Sequence, residues 1–149
     1  MGTTNNQSYN IMEVKVYHGG STSFSNLVCT VKDGRVYRKG STSFSDILFT
    51  IKGNQIYEGS STSFSNLAAT VKDGKVYQGG STSFSNIIMT IQDGRIFKGS
   101  STSFSAIMAT IQNGKVYDGS STSFSNLLLT IDGRLKIEEL VAVWLTFKY

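Results

Sequence analysis

The side chains able to do chemistry are few. His18 is the one histidine and Cys29 the one cysteine among 149 residues. A zinc site needs three or four His, Cys or carboxylate ligands, and an activated nucleophile needs a base held by an orienting acid. This chain supplies neither set. Serines are abundant, but they recur in the pentapeptide STSFS, which begins at Ser21, Ser41, Ser61, Ser81, Ser101 and Ser121 with no base beside any copy. Six equal copies suit a repeated structural part better than one tuned active site. The Gly-Gly and Gly-Ser pairs ahead of STSFS lack the Gly-Lys-Ser/Thr and the helix start of a phosphate loop. No catalytic, metal or cofactor residue is expected, and the chain does not read as an enzyme.

Binding candidates are periodic. Arg35, Lys75, Arg95 and Lys115 follow a turn signal at equivalent places, and Lys32, Lys52 and Lys72 precede it. If repeats stack, these cations align along one edge as a possible polyanion surface. Asp33, Asp73 and Asp93 interleave with that edge and reduce its potential, so the net charge of +4 does not favour nucleic acid as a partner. Thr30, Thr50, Thr70, Thr90, Thr110 and Thr130 form a hydroxyl array loosely similar to that of ice-binding solenoids. Alternation puts Val28, Leu48, Ala68, Ile88, Met108 and Leu128 on the same face, where their unequal sizes would roughen it. The repeat position of His18 is taken in turn by Arg38, Glu58, Gln78, Lys98 and Asp118. A place so variable in charge reads as a solvent-facing strand position.

The elements that must carry these residues follow from a 20-residue period. Leu27, Cys29 and Val31 alternate with Val28 and Thr30, which is strand spacing. Asp33-Gly34 then signals a turn, with Asp73-Gly74, Asp93-Gly94 and Asn113-Gly114 equivalent, and the β-prone pair Val36-Tyr37 follows. One expected fold is an all-β solenoid of six coils spaced about 4.8 Å apart. Its core would hold a ladder of Phe24, Phe44, Phe64, Phe84, Phe104 and Phe124, and a second ladder of Tyr17 and its equivalents. A rival geometry pairs Val31 with Val36 across the turn, giving six hairpins wound into a superhelix.

The six STSFS copies and the tail IEELVAVW resemble uncharacterised bacterial β-solenoid repeat proteins that end in a short helical segment. That resemblance covers nearly the whole chain and implies fold alone. The period and the turn-then-Tyr pattern are more weakly similar to choline-binding repeats, although Trp144, the one tryptophan, lies outside the repeats.

Three segments are expected: a flexible N-terminus (1–10), a solenoid domain (11–134) and a C-terminal cap (135–149). In the last, Ile137, Leu140, Val141 and Trp144 recur at helical spacing, while Leu135, Ile137, Val141, Val143, Leu145 and Phe147 also alternate. A helix is favoured by length, with Leu140 and Trp144 covering the last coil and blocking its open edge. Nothing equivalent covers the N-terminal end, so two chains are expected to meet there, through Ile11 and Val14, as a homodimer. No stretch approaches the roughly 18 apolar residues of a membrane span, and no basic start leads into an apolar run. An unpaired cysteine suits a reducing compartment, so the expected location is cytoplasmic. The function read from all this is a non-catalytic structural or protein-interaction repeat module. The alternative is a solenoid that binds polyanions, glycans or ice.

Overall fold

A computed structural model describes residues 13–148. Its strands are β1 (Glu13–His18), β2 (Leu27–Lys32), β3 (Arg35–Arg38), β4 (Ile47–Lys52), β5 (Gln55–Glu58) and β6 (Leu67–Lys72). They continue as β7 (Lys75–Gln78), β8 (Ile87–Gln92), β9 (Arg95–Lys98), β10 (Ile107–Gln112), β11 (Lys115–Asp118) and β12 (Leu127–Asp132). Among the described residues one α-helix, α1 (Ile137–Lys148), follows the strands.

The turns decide the architecture. Asp33, Asp73, Asp93 and Asn113 have φ of 51° or 52°, and the glycine after each is also positive, between 72° and 77°. Two successive positive φ values make the tight hairpin turn whose twist matches that of the strands it joins. Each turn therefore returns the chain antiparallel to itself, so Val31 pairs with Val36 and Lys32 with Arg35. The hairpin pairing is thus present, and flat coils are not.

Neither the solenoid nor the superhelix forms. The twelve strands close into an antiparallel barrel in which β1 pairs with β2 on one side and β12 on the other. The first and last strands together make the sixth hairpin, with Val16 opposite Ile131 just as Val36 is opposite Val31. A solenoid leaves an edge at each end, whereas a closed sheet leaves none. Repeat equivalents lie two strands apart, about 10 Å along the sheet, rather than stacked at one strand spacing. Strand β1 is paired on both sides, and Val14 is buried in the core. Residues 1–10 and Ile11 lie outside the described residues.

Six β-bulges curve the sheet. Tyr17 pairs with Leu27 and Val16 with Cys29, so Val28 is an extra residue, and the other five inter-hairpin pairs shift at the equivalent place. The bulge breaks the alternation expected of this strand. Val28 packs against the interior cluster that contains Cys29 and Val31. Thr30 faces the other way, and Leu27 is buried outside that cluster, beside Phe24 and Gly40.

The barrel therefore has two buried layers. Outside, the Thr30 hydroxyl donates to the Lys39 carbonyl at 2.7 Å, and Thr50, Thr70, Thr90, Thr110 and Thr130 do the same in their repeats. The acceptor belongs to a positive-φ residue: Lys39 in one repeat, glycine in the others. These hydroxyls tie each loop to its strand and, from Thr30 to Thr110, are buried, so they offer no array to ice. Inside lies α1, in which Val141, Ala142, Val143, Trp144 and Leu145 are all buried. Five consecutive buried residues cover every face of a helix, so α1 is enclosed and not laid across an end. Trp144 is a core residue, 4% exposed, while Leu140 is only partly buried.

Two measurements test this layering. Replacing Thr70 by valine keeps the shape but leaves the Gly79 carbonyl without its donor, and should lower the unfolding free energy by about 1–2 kcal/mol in urea at an unchanged slope. Cys29 faces the interior and burial alone pushes its thiol up to about 12. It should resist a disulfide reagent in native protein at pH 8 and react promptly once urea unfolds the barrel; prompt native labelling would contradict a filled interior.

Candidate binding site at the open end of the barrel

The barrel has a turn end and a loop end. Helix α1 starts at the turn end, where a Cβ on Gly133 would stand 2.8 Å from Val14. It finishes at the loop end, where the Phe147 ring lies 5.9 Å from His18. Its closest packing is against β2, β3, β4 and β5. A twelve-residue helix leaning to one side leaves room opposite, and a cleft of about 720 Å³ opens there between the end of α1 and strands β4 to β10.

Apolar groups make most of the wall. Ala68, Ile88 and Met108, the bulged residues of β6, β8 and β10, line it beside Met89 and Phe49, and Trp144 and Leu145 face them from the helix. The bulge supplies this wall, because it turns a second successive residue inward near the rim. Polar groups stand at the mouth: Glu58, Gln78, Lys98 and Lys148. The Lys148 ammonium lies 5.5 Å from the centre of the Trp144 ring, a distance at which the ring face attracts a cation. A smaller cleft of about 450 Å³ continues past Phe49 and Glu58 to Arg38, Leu48 and Thr146.

The position of His18 thus has a different meaning from the one its variability suggested. Arg38, Glu58, Gln78 and Lys98 line the two clefts, and His18 stands against the helix end. Strand alternation places them on the inner face with Val36 and its equivalents, one step from the rim. They are exposed because the barrel opens there. The signal was present in the repeat: the positions that differ most between copies, 18, 28 and 29 with their equivalents, face the interior or its mouth.

STSFS is not a strand. The Ser21 hydroxyl accepts from the Ser23 backbone amide at 3.3 Å, and a single 3-10 turn follows over Phe24–Asn26. Asn26 then donates from its side chain to the His18 carbonyl at 3.1 Å, with Asn66, Asn86 and Asn126 equivalent. Loops held this way project their phenylalanines outward. Phe24, Phe44, Phe64, Phe84, Phe104 and Phe124 are 72% to 81% exposed, so the expected interior ladder does not exist. They form a crown around the loop end. Phe24 edges toward Gly40, and Phe124 toward Gly20 across the point of closure, each 3.1 Å from where a Cβ would be. The second expected ladder is buried, from Tyr17 to Phe97, but in the outer layer and not the interior cluster.

The four cations proposed for a polyanion do not share an edge. Arg35, Lys75, Arg95 and Lys115 each begin the short strand after a turn, so closure distributes them around the barrel near its turn end. At about 10 Å per step they are roughly a Debye length apart and point in different directions. Lys15 holds the same register and is bound to Glu13 at 2.8 Å, a contact that holds the Glu13 carboxyl below its usual range.

Among the described residues there is no group of three or more His, Cys, Asp or Glu side chains placed to hold a metal ion. No curated protein and no solved structure matches the chain. A protein family does: the one described as "6-fold beta flower protein" matches residues 16–144. That span runs from the first strand to the tryptophan inside the barrel, and its six-fold description agrees with six hairpins closed in a ring. The solenoid resemblance is thereby replaced, and no link to choline-binding repeats remains. The chain belongs to the 6-fold beta flower protein family.

Proposed function

We propose that this protein is a non-catalytic interaction module that associates with a second copy of itself through the phenylalanine crown. The observation that carries the reading is the exposure of six equivalent phenylalanines, none below 72%, on one end of one barrel. At 150–250 Å² per ring they present roughly 900 Å² of apolar surface. A standard protein interface covers about 800 Å² per partner, and isolated exposed apolar side chains need no such concentration. A ring with six-fold repetition is also complementary to its own copy across a two-fold axis, because each phenylalanine meets an equivalent one. Six weak contacts made together hold far more tightly than one.

A non-catalytic role is supported by the state of the one cysteine. Cys29 is buried with its thiol pushed up to about 12, so it offers no thiolate near neutral pH.

Sedimentation equilibrium across a dilution series tests the association. Wild type should be dimeric at tens of micromolar, and the triple variant Phe24→Ser, Phe64→Ser, Phe104→Ser should dissociate at least 100-fold more readily with an unchanged circular dichroism spectrum. A wild-type monomer persisting at several hundred micromolar would end the proposal.

A further inference from the structure

The crown concerns the outside of the loop end; the cleft inside it is a separate feature with its own chemistry. We propose that the cleft between α1 and strands β4 to β10 is a binding site for a small amphiphile with an apolar tail and one negatively charged head.

Three observations converge. The first is size: about 720 Å³ lies within the range of small-molecule sites and is ample for a chain of ten to fourteen carbons. The second is the division of the lining. Ala68, Ile88 and Met108 form an apolar wall near the rim with Met89 beside it, where a tail would displace water from apolar surface. Lys98 and Lys148 stand at the mouth on different walls, strand β9 and helix α1, so a head group at the mouth lies in the field of two ammonium groups. Glu58 is the carboxylate lining the same cleft, which leaves the mouth with one positive charge in excess. A single anionic head matches that excess; a cation would meet two ammonium groups, and a neutral head would leave both without a counter-charge.

The third observation concerns the repeat. A barrel of six equal hairpins around a symmetric filling would let every copy carry the same inward residues. Here the bulge position is alanine at 68 but methionine at 108, and the rim position is glutamine at 78 but lysine at 98. The cleft draws both its apolar wall and its polar mouth from these variable positions, while the outward STSFS loops stay identical in all six copies.

Trp144 is the sole tryptophan, lies in the wall and is 4% exposed, so its emission reports directly on occupancy. The probe is dodecanoate, titrated below its micelle concentration at pH 8, with dodecanol and dodecyltrimethylammonium as head-group controls. Dodecanoate should change Trp144 emission saturably, and both controls should bind at least 10-fold more weakly. Lys98→Glu should weaken dodecanoate at least 10-fold, and Ala68→Phe, which fills the cleft, should abolish the saturable change while its melting transition shows a folded barrel. Should Ala68→Phe fail to fold, Met108→Trp serves as the filling variant, read by displacement of a fluorescent fatty-acid analogue. The triple crown variant should bind dodecanoate as wild type does. Equal binding of all three head groups, undiminished binding by a folded filling variant, or loss of binding in the crown variant would each overturn the proposal.

Discussion

The structure depends on one pairing made between the two ends of the repeat region. Strand β1 begins the described chain and β12 precedes the helix, yet they form a hairpin register with Lys15 opposite Asp132 and Tyr17 opposite Thr130. Two contacts outside the strands complete it: Gly19 donates its backbone amide to the Leu128 carbonyl at 2.8 Å, and Thr130 donates to the Gly19 carbonyl at 2.6 Å. The same pair of contacts closes the other repeats locally, over nine residues in the threonine bond; here it spans 111. Bringing the ends together costs chain entropy once, and the cost grows only slowly with loop length. In return both sheet edges disappear and a shared interior is enclosed.

That interior is what makes six short hairpins stable. Strands of six and four residues bury little individually. Closed around α1, they share one cluster that joins Val16, Val36, Ile56, Val76, Ile96 and Val116 to Val141, Val143 and Trp144. The helix has no six-fold symmetry and cannot present the same surface to six identical walls. Interior side chains therefore differ in size around the ring: Ala69 and Ala109 are fully buried where other repeats carry Cys29, Met89 or Leu129. The outer layer meets no such asymmetry, and its Thr, Tyr and Ser-Phe-Ser pattern repeats almost unchanged.

Much of this was legible locally. The period, the strands, the Asp-Gly turns, the Val31–Val36 pairing as one of two geometries, and the helical tail all follow from side-chain spacing and positive-φ preference. The global arrangement was not, because a hairpin repeat specifies its neighbour's direction and says nothing about whether the last hairpin meets the first. Two signals could have pointed inward. Val141 to Leu145 is apolar on every face, which belongs to an enclosed helix and not to a lid wet on one side. The charge-variable position of His18 falls in step with Val16, an interior residue, so it had to approach the interior as well. The phenylalanines misled for a different reason: aromatic character argues for burial on average, but the Asn26 side-chain bond to His18 and the 3-10 turn set STSFS as a loop, and a loop residue follows its backbone.

The two kinds of repeat position now separate by location. Identity among copies is found where each hairpin meets only its own loop and its neighbour: the threonine hooks, the serine turns and the crown. Difference is found where each hairpin meets the helix or the space beside it. Packing against an asymmetric filling accounts for changes in size at the buried places, since a core near crystalline density answers volume with volume. It does not account for His18, Arg38, Glu58, Gln78, Lys98 and Asp118, which are exposed at the mouth and lie beyond the tightly packed zone. Exposed positions free of packing demand would tolerate one residue in all six copies as readily as STSFS does. Their variety in charge therefore marks the mouth of the barrel, and not its outer wall, as the place where this chain departs from its own repeat for reasons other than folding.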